Sequence, residues 1–210
     1  MVGPFFQPSR LSGRRGASRR KAMKTSAIYT AGMDHPVLVV VAGRPGTGKT
    51  TLATVLVPAP GPPYLRMDAI VIPLLRGGLT DDEAGAARAA YEVAHELAAE
   101  NLRAGMAVVV DGLNPTHEGR AAWREIAEGA RASLVLLETI VCDPREHRRR
   151  VDQGRRRSSG YVGPSWKSIG AQAYDPWDEN CYGPRLVVDM TDARDALSVA
   201  LSHIGDLRIR

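Results

Sequence analysis

Residues Gly43 to Thr50 read G-R-P-G-T-G-K-T, which meets every position of the G-x-x-x-x-G-K-[ST] spacing. Without a Cβ, the glycines let successive backbone N–H groups turn inward around a β-phosphate. Lys49 is placed to reach the β- and γ-phosphates, and the Thr50 hydroxyl to ligate Mg²⁺. The helix that must start here adds the partial positive charge of its N-terminus. Gly43, Arg44, Pro45, Gly46, Thr47, Gly48, Lys49, Thr50 and Thr51 are therefore expected to hold a nucleoside triphosphate, ATP with Mg²⁺.

Two carboxylates and a run of arginines extend this chemistry. Asp68 follows a short apolar stretch in YLRMDAI. There it faces the γ-phosphate and takes a proton from an attacking hydroxyl, or else it caps the next helical turn. Asp111 follows VVV and precedes Gly-Leu-Asn. It reads either as the carboxylate that holds Mg²⁺ through water or as the end of a strand in a turn. A motor ATPase follows that aspartate with a water-activating Glu; here Gly112 follows, which weakens a hydrolase reading. Seven arginines lie between Arg145 and Arg157. On a mobile loop they would close over a nucleotide and neutralise transferring charge, with Arg150 catalytic and Arg155 on the nucleotide; otherwise the run is a solvated face.

These residues need elements to position them. Val37 to Gly43 is a continuous β-branched run, a strand buried on both faces of a parallel sheet. A helix is expected from Lys49 to about Val57, stopped by the prolines of residues 58–63. Tyr64 to Met67 reads as a short strand. Thr80 with Glu83 makes a capping box opening an Ala-rich helix to about Ala104, closed by Gly105. Met106 to Val110 and Leu134 to Val141 read as buried strands, with a helix from about Thr116 to Ala130 between them. A basic helix starts near Pro144 and gives way to a loop from Gly154 to Gly163. A short helix follows Pro164, Tyr174 to Asp178 is a loop, Leu186 to Val188 a strand, and Asp192 to Ile204 the closing helix. The alternation predicts one α/β domain with a parallel sheet and right-handed crossovers, its ligands beyond the carboxyl ends of the strands. Gly43, Asp68, Asp111 and Cys142-Asp143 all fall at those ends.

The 210 residues, 44% apolar, suffice for one domain with a proper core. No apolar run reaches the roughly 20 residues of a membrane helix. Two cysteines, Cys142 and Cys181, have no metal-ligand spacing, and a reducing cytoplasm fits them. The net charge of +5 is local: the first 33 residues hold seven Lys or Arg and no acid, so the remainder carries 21 basic against 23 acidic residues. The body is near neutral and disfavours a nucleic-acid partner. Residues 1–34 read as a disordered basic tail, a transit peptide, a nucleic-acid arm, or a stretch upstream of a true start at Met23 or Met33. His117 and His147 lack partners at metal-ligand spacing and read as surface or capping residues. Trp166, Tyr174 and Trp177 either line an acceptor pocket or pack the lid-side helix.

GRPGTGKTTLA from Gly43, LRMDAI from Leu65, VVVDGLN from Val108, CDPREHRRRV from Cys142, PSWKSI with YDPWD, and RLVVDMT from Arg185 together resemble a known group. It is the compact P-loop kinases related to adenylate and gluconate kinases, most similar to the branch of chloramphenicol phosphotransferase and the kinase domain of polynucleotide kinase. The resemblance spans about residues 36 to 205. It implies a single P-loop kinase domain over 35–210, a five-stranded parallel sheet flanked by helices, and an Arg-rich lid at about 145–165. It implies transfer of the γ-phosphate of ATP to a hydroxyl of a small molecule, with Asp68 deprotonating the acceptor. By position it places Arg185 and the Asp189–Thr191 turn near the adenine and Arg120 against phosphate or acceptor. Asn114 occupies a variable acceptor-side position and reads the substrate, or it forms a turn before Pro115. By analogy the acceptor is a nucleoside or sugar-bearing antibiotic. The rival expectations are a 5′-hydroxyl polynucleotide kinase and a nucleotide-binding ATPase switch. The oligomeric state is left open.

Overall fold

The computed structural model describes residues 35–57, 61–157 and 163–206. Strands and helices alternate along them: β1 (Val37–Ala42), α1 (Lys49–Leu56), β2 (Tyr64–Arg66), α2 (Asp68–Arg76), α3 (Glu83–Arg103), β3 (Val108–Asp111) and α4 (His117–Gly129). There follow β4 (Ser133–Ile140), α5 (Pro144–Arg157), α6 (Trp166–Ala171), α7 (Glu179–Tyr182), β5 (Arg185–Asp189) and α8 (Ala193–Asp206). The five strands form one sheet in the order β2-β3-β1-β4-β5, and every neighbouring pair is parallel. This is the α/β class expected from the alternation.

β1 lies at the centre because all six of its residues are apolar and buried, so both its faces need cover. Val37, Val39 and Val41 face Leu52, Ala53 and Leu56 of α1 and Ala196, Ala200 and Ile204 of α8. Leu38 and Val40, with Val108 and Val110, face Ala94, Ala98 and Leu102 of α3 and Trp123 of α4. Ala86, Ala90, Ala94 and Ala98 repeat every fourth residue along α3, and all four are buried. That stripe of small side chains lets a long helix lie close to the sheet. Register brings the working ends together, since Val41 and Arg66 both pair with Asp111 and Ala42 pairs with Glu138.

The structure departs from the sequence reading at four places. The cap of α3 is Asp82, whose side chain accepts from Ala84 N at 3.0 Å, while Thr80 Oγ1 accepts from Asp82 N. Asp81-Asp82 offers a stronger cap two residues nearer the apolar stripe than the Thr80/Glu83 box. After Asp68 the chain turns straight into α2, a helix the strand reading did not contain. α5 continues through Gly154 to Arg157 where a loop was expected, because a single glycine does not break a helix so rich in arginine. α7, a single turn, follows the YDPWD loop and is capped by Asp178. The tail, residues 1–34, and the tip of the expected lid, residues 158–162, lie outside the described residues, as do residues 58–60 of the proline run.

Candidate active site

The loop between β1 and α1 has the backbone that only its glycines permit. Gly43 has φ +138°, and a Cβ there would lie 2.5 Å from the Thr139 carbonyl oxygen. Gly46 has φ +80°, and a Cβ would meet Val151 of α5 at 2.7 Å. Gly48, at φ +98°, opens α1. The first N–H groups of α1 have no helix carbonyl of their own to donate to, so they form a ready anion cradle. Thr47 is buried; its hydroxyl donates to the Arg44 carbonyl at 2.7 Å and lies 2.7 Å from the Thr139 hydroxyl. Lys49 Nζ donates to the same Arg44 carbonyl at 3.1 Å. Burial pushes the Lys49 ammonium below its ordinary pKa, and the carboxylates of Asp111 and Asp68 pull it back. Thr51 is exposed on the first turn of α1.

Asp111 ends β3 and is 3% exposed. Its Oδ2 accepts from the Thr50 hydroxyl at 2.6 Å and from the Tyr64 hydroxyl at 2.7 Å. The Thr50 hydroxyl and the Asp111 carboxylate are hard oxygen donors side by side at the mouth of the cradle. Mg²⁺ takes one or two protein oxygens and keeps waters and phosphate oxygens for the rest, so this donor set fits it. No cluster of three or more His, Cys, Asp or Glu among the described residues makes a self-contained metal cage.

Asp68 opens α2 with its side chain 64% exposed. Its carboxylate accepts from Arg66 at 2.9 Å, and α2 has no side-chain cap bond, so the capping role weighed for Asp68 is not what holds it. It is close enough to Lys49 to act on its ionisation. Thr50 and Asp111 thus meet directly, and Lys49 lies within electrostatic reach of both Asp111 and Asp68.

Four other expected ligand contacts are instead engaged with the protein. Arg120 is 1% exposed, and its guanidinium donates to four carbonyls: Asn114, Pro115, Asp175 and Pro176. The rings of Tyr174 and Trp177 lie 4.9 and 4.7 Å from its guanidinium carbon. Four of its five N–H groups thus serve main-chain oxygens, and the side chain is a buried brace between these loops. Asn114 is equally buried: its Oδ1 accepts from Trp123 Nε1 at 2.8 Å, its Nδ2 donates to the Gly112 carbonyl at 3.3 Å, and its φ is +49°. Of its two readings the turn holds, since asparagine tolerates the left-handed region and its amide closes the turn. Arg185 stands on the α3/α4 face of the sheet, across from α1 and α8. There it pairs with Glu138 at 2.5 Å and Glu179 at 3.2 Å and stacks on Trp177, not beside the Asp189–Thr191 turn. Arg150 pairs with Glu146 at 2.6 Å and donates to the Met190 and Thr191 carbonyls, so it ties α5 to the β5–α8 turn. Three of its five N–H groups are committed to this brace, which stands where a catalytic role was expected. The side chain of Arg155 lies outside those described.

Arg44 contributes its backbone to the loop, but its guanidinium leaves it, donating to the carbonyls of Ile169 at 2.7 Å and Gln172 at 3.2 Å. His147, read as a surface residue, reaches the Pro45 carbonyl with Nε2 at 2.8 Å and meets Trp166 edge-on. Tyr174 and Trp177 pack rather than line a pocket. Tyr174 OH donates to Glu138 at 2.9 Å, and burial pushes that phenol's pKa up.

Sequence reasoning missed Tyr64 and Arg66. A half-buried tyrosine on a strand seeks a partner for its hydroxyl, and that was the available signal. Arg66 had none beyond its place two residues before Asp68. Its Nε is buried without a partner among the described residues.

A family model described as "AAA domain" matches residues 38–163. No curated protein matches the sequence at a significant level. Solved structures share the fold. A candidate kinase from Chloroflexus aurantiacus has a TM-score of 0.63 at 22% identity, covering 84% of this chain and 98% of that one. Kti12 of Chaetomium thermophilum, in complex with ADP-AlF3, has a TM-score of 0.61 at 21% identity over 80% and 97% of the two chains. A gluconokinase from Sinorhizobium meliloti has a TM-score of 0.56 at 22% identity over 84% and 95%.

Proposed function

The chain belongs to the P-loop family described as an AAA domain, and from that premise we propose that it is an ATP- and Mg²⁺-dependent kinase that phosphorylates a hydroxyl of a small molecule. The observation that carries this reading is the Thr50–Asp111 bond beside Lys49, with the exposed Asp68 carboxylate within electrostatic reach of that lysine. The loop N–H groups and Lys49 hold the phosphates, with Lys49 leaving the Arg44 carbonyl to do so. Thr50 and Asp111 hold the metal, which when bound supplies charge neutralisation across the β- and γ-phosphates. Asp68, accessible and already oriented by Arg66, takes the proton of the acceptor hydroxyl as that oxygen attacks. The gluconokinase that shares the fold supports a small acceptor. The near-neutral body speaks against a nucleic-acid strand as acceptor.

A second reading is an ATPase switch with no acceptor. The family's description and the ADP-AlF3 complex of the similar Kti12 favour it. Against it stand Gly112 after Asp111 and an exposed carboxylate that a switch does not need. The reading assumes a cytoplasmic protein, in keeping with two exposed free cysteines; no helix among the described residues is long and apolar enough to cross a membrane.

The test is transfer of label from γ-labelled ATP into panels of nucleosides, sugars, sugar-bearing antibiotics and 5′-hydroxyl oligonucleotides. A labelled small molecule supports the kinase and names its acceptor class. Label on oligonucleotide ends moves the assignment to an end kinase, and release of inorganic phosphate alone across the panel supports the switch.

A further inference from the structure

Tyr64 reaches the Asp111 carboxylate from β2, the strand paired with β3. It stands on β2 opposite Val109 of β3, while Arg66 stands opposite Asp111. Residues two apart on paired strands share a face, so Tyr64, Val109 and Asp111 all project toward α1. The ladder also fixes the backbone there, where Met67 N donates to the Asp111 carbonyl at 2.9 Å. Tyr64 OH then reaches Asp111 Oδ2 at 2.7 Å, the same oxygen that takes the Thr50 hydroxyl at 2.6 Å.

These two donors differ in what a bound metal asks of them. The Thr50 hydroxyl can donate its O–H to Asp111 and still offer a lone pair to Mg²⁺, so its bond to Asp111 is part of the metal site itself. The Tyr64 hydroxyl has no such second duty. A carboxylate only 3% exposed needs donors to stay charged and in one rotamer. Tyr64 is the second side chain that holds Asp111 Oδ2, and unlike Thr50 it is not itself a metal ligand. We propose that Tyr64 is a positioning residue for the metal site, orienting Asp111 toward Mg²⁺ through its hydroxyl. This rests on the reading of Thr50 and Asp111 as metal ligands.

The test is Tyr64→Phe, which keeps the ring and removes one oxygen. Mn²⁺ binding to the complex with saturating ADP is read by electron paramagnetic resonance, and ADP binding without metal by calorimetry. Removing an outer-sphere partner of a metal ligand costs about 10–100-fold in metal affinity. The expected result is Mn²⁺ affinity weakened about ten-fold or more, with metal-free ADP affinity within about two-fold of wild type. Unchanged metal-free binding also shows that the fold of the loop is retained, which a merely structural tyrosine would not separate from the metal effect. Mn²⁺ affinity within about two-fold of wild type overturns the proposal. Wild-type protein that binds ADP with no metal dependence at all overturns instead the metal reading beneath it.

Discussion

The guanidinium carbon of Arg44 lies 4.9 Å from the centre of the Tyr174 ring, and this contact joins the phosphate loop to the chain that follows α6. The loop itself is rich in glycine and would be costly to order. Arg44 anchors it to the carbonyls of Ile169 and Gln172, and Tyr174 is anchored in turn by Glu138. An ordered loop binds phosphate without first paying for its shape. Tyr174→Ala is therefore expected to weaken ATP binding by about 1–2 kcal/mol, near ten-fold. Arg44→Ala should do the same, and the double variant should lose little more than either single one. Calorimetric Kd values around this cycle check it; full additivity would mean the two residues act separately.

Arg120 makes the opposite kind of prediction. Its four carbonyl bonds hold the β3–α4 turn against the loop around Asp175, with the ring of Trp177 alongside. Lysine has the charge but not the fork, so it cannot serve four acceptors in one plane. Arg120→Lys should lower the stability of the fold by about 2–4 kcal/mol, seen as a fall in Tm. ATP affinity of the folded fraction should stay near wild type. A selective loss of acceptor or ATP binding at unchanged Tm would return Arg120 to the site.

Strand ends and side-chain destinations were not equally legible in the sequence. The sheet, the loop and the meeting of Thr50 with Asp111 follow from local patterns: a β-branched run, glycine spacing, an acid directly after a strand. Those patterns fix backbone, and backbone carries these short side chains with it. Arg120, Asn114, Arg150 and Arg185 are different. A long guanidinium can swing toward phosphate or toward a carbonyl. For Arg120 the choice is set by Tyr174, for Arg185 by Glu138 and for Arg150 by Met190 and Thr191, each tens of residues away; only the Glu146–Arg150 pair follows a helical spacing. The same holds for Tyr64, whose role exists only because β2 pairs with β3.

His95 provides a pH-dependent check on the α3 side of the core. It meets Trp123 edge-on at 4.3 Å, and its Nε2 is buried without a partner among the described residues. Burial therefore pushes its pKa below the ordinary value of about 6.5. The folded state then binds fewer protons than the unfolded one at mildly acid pH. Stability is full above about pH 6.5 and falls as pH drops toward the lowered pKa. Melting of wild type and His95→Phe at pH 7.5 and pH 5.5 reads this. The wild type should lose more Tm than the variant, and equal losses would contradict the buried neutral imidazole.

The central claim is that Asp68 is the base of a phosphoryl transfer, and Asp68→Asn tests it most directly once an acceptor is found by the labelling panel. Asparagine keeps the size and can still accept from Arg66 but cannot take a proton. Single-turnover transfer from γ-labelled ATP should fall by about 10²–10⁴-fold, with ATP Kd and Tm near wild type. Transfer, or release of inorganic phosphate, that proceeds at the wild-type rate in Asp68→Asn would contradict the assignment and favour a site that turns over ATP without an acceptor.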